Sequence, residues 1–79
     1  MMVDINMPNL DGVTEAIIVK WWKKVGDAVK EKDVLVEVMT EKVNTEIESP
    51  ISGIVVEIIY PNDSVVKVGE IIARIEQKD

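Results

Sequence analysis

The chain has 79 residues, enough for one small domain that buries about 60–65% of its unfolded surface and too few for a deep substrate cavity. Its net charge is −6 with the acids spread along the sequence, which argues against nucleic acid and anionic membrane as partners, since both repel a negative surface. Histidine and cysteine are absent, so Ser-His and Cys-His catalysis, phosphohistidine transfer, Cys/His zinc sites and disulfide bracing are excluded together. No apolar run approaches the roughly 20 residues that span a bilayer, and the N-terminus lacks the charged-then-apolar pattern of a signal peptide. The expectation is a single soluble domain over residues 1–79, monomeric in isolation. It is expected in the cytoplasm, or in the mitochondrial matrix of a eukaryote.

Valine and isoleucine are abundant while leucine and alanine are few, a bias that favours strands because β-branched side chains suit a pleated surface. In chain order, Asn9-Leu10-Asp11-Gly12 reads as a turn. Ile17, Val19 and Trp21 then alternate, in competition with a helical spacing of Ile18, Trp21, Trp22 and Val25. The β-branched run and the nearby Gly26 favour a strand that ends in a loop at Lys23-Lys24. Trp21 and Trp22 would face opposite ways, one into the core and one over an edge. Val34, Val36 and Val38 share a face with Glu37 opposed, and Val43, Thr45 and Ile47 oppose Asn44, Glu46 and Glu48. Ile54, Val56 and Ile58 form a further row, as do Ile71, Ala73 and Ile75, with Arg74 and Glu76 outward. Turns are expected at Gly26-Asp27, Ser49-Pro50, Ser52-Gly53, Pro61-Asn62-Asp63 and Gly69, and the glycines among them read as turn residues without a ligand role. Val36, Val38, Ile47, Val56, Ile58 and Ile71 are expected to be buried. Short strands between frequent turns predict a small all-β sandwich or barrel.

A faint internal echo supports that reading. Gly12, Gly26-Asp27-Ala28-Val29 and Val34–Val38 correspond to Gly53, Asn62-Asp63-Ser64-Val65 and Ile71–Ile75, at an offset that drifts between about 36 and 41 residues. The echo implies two similar halves facing each other across one core, with a hairpin around Lys42 at one end.

Little in the chain carries chemistry. The carboxylates sit on outward faces with no pocket to raise a pKa, so a glycosidase-like pair is not expected. Lys42 is, on composition alone, a solvated surface lysine. Its position adds something. Val38 and Val43 close the flanking strands and leave Met39-Thr40-Glu41-Lys42 between them, a length usually built around a type I turn that holds a side chain away from the sheet. Nothing physical in this placement names a modification.

A family resemblance does, and it covers nearly the whole chain. Ile5-Asn6-Met7-Pro8 with Val13-Thr14-Glu15, Ile18-Val19-Lys20-Trp21 with Lys23 through Val29, and Val36 through Val43 stand in the order and spacing of lipoyl domains of 2-oxo acid dehydrogenase complexes. Ser49-Pro50-Ile51-Ser52-Gly53 and Val68-Gly69-Glu70-Ile71-Ile72 continue the match. The chain resembles the lipoyl domain of a dihydrolipoamide acyltransferase. That resemblance implies a flattened barrel of two four-stranded sheets with quasi-two-fold symmetry, and lipoic acid joined to the Lys42 amine as an amide. It implies a lipoate ligase or lipoyl transferase to load the arm and a thiamine-diphosphate-dependent decarboxylase to acylate it reductively. An acyltransferase core would pass the acyl group to coenzyme A, and the flavoprotein dihydrolipoamide dehydrogenase would reoxidise the dithiol. The domain would be a carrier with no catalytic residue of its own and no metal.

Thr40, Glu41 and Val43 are the implied recognition residues. Glu41 stands where the family usually has aspartate. The Met39-Thr40 pair resembles the branched-chain and related acyltransferases more than the pyruvate forms. Two alternatives remain at this stage. A biotinyl carrier of a biotin-dependent carboxylase has its lysine between two methionines, unlike Glu41 and Val43. An unmodified barrel-sandwich module of an adaptor protein needs no lysine at the turn.

Overall fold

A computed structural model describes residues 1–78. The described residues form eight strands and no helix: β1 (Met2–Asn6), β2 (Glu15–Trp21), β3 (Ala28–Val29), β4 (Val34–Met39), β5 (Asn44–Glu48), β6 (Gly53–Ile58), β7 (Val65–Lys67) and β8 (Ile71–Gln77). They build two four-stranded antiparallel sheets, in the orders β1-β8-β6-β3 and β5-β4-β2-β7. The expected architecture of two facing four-stranded sheets is present. One apolar cluster, with Ile18, Leu35, Val38, Val66, Ile72 and Ile75 almost fully buried, lies between them.

The two sheet orders interconvert when each strand number is shifted by four, so the internal echo is real. Its register is tighter than the sequence suggested, and it matches Gly53 with Ala16 rather than with Gly12. Adding 37 to both numbers of the pairs Ile18↔Val38 and Trp21↔Val36 in β2–β4 gives Val55↔Ile75 and Ile58↔Ala73 in β6–β8. The bulges coincide too, between Ile18 and Lys20 in one half and between Val55 and Glu57 in the other. So do the residues in the left-handed region: Gly26 (φ 96°) matches Asp63 (φ 73°), and Lys32 (φ 77°) matches Gly69 (φ 93°). For β1 against β5 the shift is 42, as Ile5↔Ala73 and Ile47↔Val36 show. Between equivalent register positions the path from β1 to β2 is therefore five residues longer than that from β5 to β6, and those extra residues matter for the site.

The bulges correct several expectations of burial. Val36, Val38 and Ile47 are in the core as expected. Val56 is exposed, and Ile58 and Ile71 are only half-buried, while Val55, Leu35 and Ile72 take the core positions. A bulge inserts one residue, so two neighbours or residues three apart can face inward. In β6 this brings Gly53, Val55 and then Ile58 inward, which strict alternation from Ile54 inverts. In β4 and β8 it buries the adjacent pairs Leu35-Val36 and Ile72-Ala73. Gly53 is likewise no turn residue. It opens β6, buried, where an added Cβ would overlap the carbonyl oxygen of Glu76. The tryptophans divide as expected: Trp21 packs against the core and its indole N–H donates to the Tyr60 carbonyl at 2.7 Å, while Trp22 is half exposed beneath the Lys20 ammonium.

Consecutive strands switch sheets at every connection except one. Only β4 and β5 are both adjacent in sequence and paired, so theirs is the only hairpin among the described strands. Its symmetry counterpart is the pairing of β1 with β8, where two chain ends stand in place of a turn. Those ends lie away from the hairpin. Ser52 accepts from Lys78 N–H and Glu31 N–H, and the neighbouring Lys32 N–H donates to Ser49 beside the Val34↔Glu48 pair, the end of the β4–β5 ladder farthest from its turn.

Candidate functional site

The hairpin tip is narrower than the sequence suggests. β4 runs on through Met39, paired with Asn44, and Thr40 N–H donates to the Val43 carbonyl at 2.8 Å. Only Glu41 and Lys42 remain between the closing pair. Two-residue hairpins favour turns with positive φ, the region of Gly and Asn, because those turns match the strand twist. Glu41 and Lys42 do not adopt positive φ. The Thr40 hydroxyl compensates for the mismatch by accepting from the N–H groups of both Lys42 and Val43 at 3.1 Å. Thr40 is thus a local clamp of the kind that Ser and Thr make in turns. It fixes the backbone under Lys42 while leaving the lysine side chain in solvent.

Lys42, Glu41 and Val43 are all exposed and Thr40 is half-buried, so the structure brings the four candidate residues together at one tip. Among the described residues no carboxylate lies within ion-pair distance of the Lys42 ammonium. An unpaired amine raised on a held turn is open to acylation, and its neutral amide product would leave no buried charge behind.

The surroundings are acidic. Glu37 and Glu46 face each other directly across β4 and β5, and Glu41 sits at the tip. Like charges so placed repel, and the sheet retains them here. Beside the hairpin lies a cleft of about 680 Å³, walled by Gly12, Val13 and Thr14 of the long β1–β2 connection. Glu15, Ala16, Ile17, Met39, Thr40, Glu41 and Lys42 itself line it further. The sequence pattern put Met39 in the Lys42 turn, but alternation gave no sign that Val13 and Ile17 stand beside it. A legible signal was the unequal length of the two β–β connections that the internal echo should have matched.

The family model described as "Biotin-requiring enzyme", which covers biotin and lipoyl attachment domains, matches residues 3–75. The acetyltransferase component of the pyruvate dehydrogenase complex of Corynebacterium glutamicum is 51% identical over 73 residues, covering 91% of this chain and 11% of that protein. The succinyltransferase component of the 2-oxoglutarate dehydrogenase complex of Rickettsia bellii is 47% identical over 78 residues, covering 98% of this chain and 20% of that protein. The chain thus spans between about a tenth and a fifth of the length of such relatives. These relatives belong to a pyruvate and a 2-oxoglutarate dehydrogenase complex. Among solved structures, the lipoyl domain of the 2-oxoglutarate dehydrogenase complex from Azotobacter vinelandii superposes with a TM-score of 0.81. It has 27% identity and covers 98% of this chain and 99% of that one.

Proposed function

The chain belongs to the biotin/lipoyl attachment family as a lipoyl-type domain, and we propose that it is a swinging-arm carrier with lipoic acid bound to Lys42. One observation carries the reading. The only hairpin among the described strands holds an unpaired, exposed lysine on a two-residue tip that the Thr40 hydroxyl clamps from below. When bound, lipoic acid supplies a cyclic disulfide that can take up an acyl group reductively and hand it to a thiol.

The chain's own residues present and identify the arm. Thr40 sets the direction in which Lys42 leaves the turn, Glu41 and Val43 flank it, and Glu37 and Glu46 give the tip a negative field. The proposed partners are a lipoate ligase or lipoyl transferase, a thiamine-diphosphate-dependent decarboxylase, an acyltransferase core and dihydrolipoamide dehydrogenase. Relatives named as acyltransferase components, and the fit of a lipoyl domain over the whole described chain, support this set. Catalysis belongs to those partners.

Intact mass spectrometry after incubation with a lipoate ligase, lipoate and ATP tests the assignment. Wild type should gain one lipoyl group, and Lys42→Arg should gain none while keeping its unfolding midpoint, because an exposed turn residue contributes little to stability. A parallel incubation with biotin ligase and biotin should leave the mass unchanged. Loading of another lysine in the variant would refute the site, and efficient biotin loading with no lipoate loading would refute the group.

A further inference from the structure

We propose that the cleft beside Lys42 is a resting seat for the apolar end of the group that this lysine carries. The inference builds on the lipoyl reading of Lys42. Lys42 lines the cleft itself, so a group on its amine needs only to fold back, and about 680 Å³ lies within the range of small-molecule sites.

Ile17 and Met39, which line the cleft beside Glu15 and Glu41, belong to an apolar row that the fold does not demand and that Val65 extends beyond the cleft. Ile17 of β2 pairs with Met39 of β4 on one side and with Val65 of β7 on the other. The neighbours Ala16, Val38 and Val66 point into the core, so Val65, Ile17 and Met39 form a row on the outer face of the sheet. All three are exposed, at 56%, 38% and 38%. An outward sheet face ordinarily alternates to polar residues. The internal symmetry supplies a control, since the equivalent row on the other sheet is Ala28, Ile54 and Glu76. There the row shrinks to one large apolar side chain between an alanine and a charge. The same backbone is thus stable without the apolar row, which is kept only where Lys42 is carried. The longer β1–β2 connection adds a wall, with the half-buried Val13, which also packs against the core, and with Gly12, beside which there is open space.

The chemistry of the carried group suits this lining. Acylation turns the ammonium, which must stay in water, into a neutral amide whose methylene chain and ring gain from contact with Ile17 and Val13. The Met39 thioether is a soft, adaptable neighbour for a sulfur-containing ring. In the seat the ring would be shielded from small reagents, and a partner that needs it would have to draw it out.

The test uses the lipoylated 79-residue domain with ¹³C-labelled methionine methyls. Met39 alone among Met1, Met2, Met7 and Met39 lines the cleft. Its methyl resonance should shift on lipoylation and show cross-relaxation to the ring protons, while the other three stay in place. The ring should also be reduced by a water-soluble phosphine about tenfold more slowly than in the doubly substituted Ile17→Thr, Met39→Thr domain, since burying roughly two methylenes is worth about that factor. Both substitutions are on exposed positions, Ile17→Thr keeps a β-branched side chain and Met39→Thr introduces one that suits a strand, and the wild-type resonance needs no variant at all. A complete gain in mass with an unmoved Met39 signal and equal reduction rates would overturn the seat and leave the row as a contact surface for a partner enzyme. A failure to gain mass would instead overturn the lipoyl reading itself.

Discussion

The two halves of the chain share a backbone and part company in their side chains, and the partings are not random. Across β1, β8 and β6 the charges run Asp4, Arg74, Glu57, with the arginine between two carboxylates and bonded to both. Those carboxylates, Glu57 foremost, raise the Arg74 pKa and hold its charge. At the equivalent places across β5, β4 and β2 stand Glu46, Glu37 and Lys20, so two acids meet head-on and the cation lies at the side. The same sheet carries the exposed row of Val65, Ile17 and Met39 and the Lys42 hairpin. One sheet has matched charges, and its row equivalent to Val65, Ile17 and Met39 holds one large apolar side chain, Ile54. The other retains repulsion and exposed apolar area, both next to its presented lysine. The comparison teaches that the shared positions serve the fold and the unmatched ones collect at the site.

The largest expected effect comes from a place where the halves look alike but are not interchangeable. Gly53 and Ala16 are equivalent and both buried, yet a Cβ on Gly53 would overlap the Glu76 backbone carbonyl, which cannot rotate away. Gly53→Ala should cost on the order of 3 kcal/mol in urea denaturation, at or above the upper end of overpacking effects. A loss under about 0.5 kcal/mol would mean that β6 and β8 can separate locally as β2 and β4 do around Ala16.

Next comes the phase of β6. Val55→Ala should cost about 2 kcal/mol, because Val55 is the buried counterpart of Ile18, whereas Val56→Ala should cost under about 0.5 kcal/mol. Equal costs would remove the bulge between Val55 and Glu57 as the reason for the difference.

These two positions also show what the sequence could and could not disclose. The strand content, the hairpin and Lys42 at its tip were legible, because alternation and turn residues are local signals. Val38 and Ile47 were found in the core because Glu37 and Glu46 mark the opposite face. In Ile54-Val55-Val56 no polar residue marks a face, so the phase was undetermined and was read one residue out. The burial of Leu35 next to Val36 needs the bulge, which comes from pairing with a strand further along the chain. The cleft was hidden for the same reason: Val13 and Met39 lie far apart in sequence and meet only after both sheets have formed. Thr40 was singled out by resemblance, whereas its clamp on the Lys42 and Val43 amides is a physical role that only the geometry supplies.

A smaller effect should follow from repairing the mismatch in charge. Glu46→Lys would place a cation against Glu37 and so reproduce the alternation of Asp4, Arg74 and Glu57 with the signs reversed. The gain should be about 0.2–1 kcal/mol in stability. On the proposed function the same change should slow reductive acylation of the lipoylated domain by its decarboxylase, with the difference narrowing as salt is added. Higher stability with an unchanged rate at low salt would show that partners do not read the acidic pair.

The smallest effect concerns the turns before β4 and β8, where Asp33 and Glu70 are equivalent. Each carboxylate accepts a backbone N–H three residues upstream, from Lys30 and Lys67. Each also has a second partner, but of different kind. Lys23 approaches Asp33 at 3.8 Å, while the Tyr60 hydroxyl donates to Glu70 at 2.7 Å. That hydrogen bond first, and the Lys67 amide second, hold the Glu70 carboxyl below the ordinary glutamate range against the opposing effect of desolvation. The unfolded chain then binds the Glu70 proton more readily than the native chain, so stability falls as pH is lowered. The contribution is complete above the unfolded value of about 4.3 and disappears as pH drops through the lower native value. Tyr60 works in the other direction. The same bond raises its pKa, so its contribution is present below the unfolded value of about 10 and is lost as pH rises through the native one. Glu70→Gln should therefore flatten the acid limb of the unfolding midpoint plotted against pH, and Tyr60→Phe should soften both limbs. Lys23→Met, which removes the longer and salt-screened partner in the other half, should move the midpoint only slightly and only at low ionic strength. If Glu70→Gln kept the wild-type acid limb, the hydroxyl–carboxylate bond would be no stronger in solution than the ion pair it replaces, and the two turns would be equivalent in energy as well as in shape.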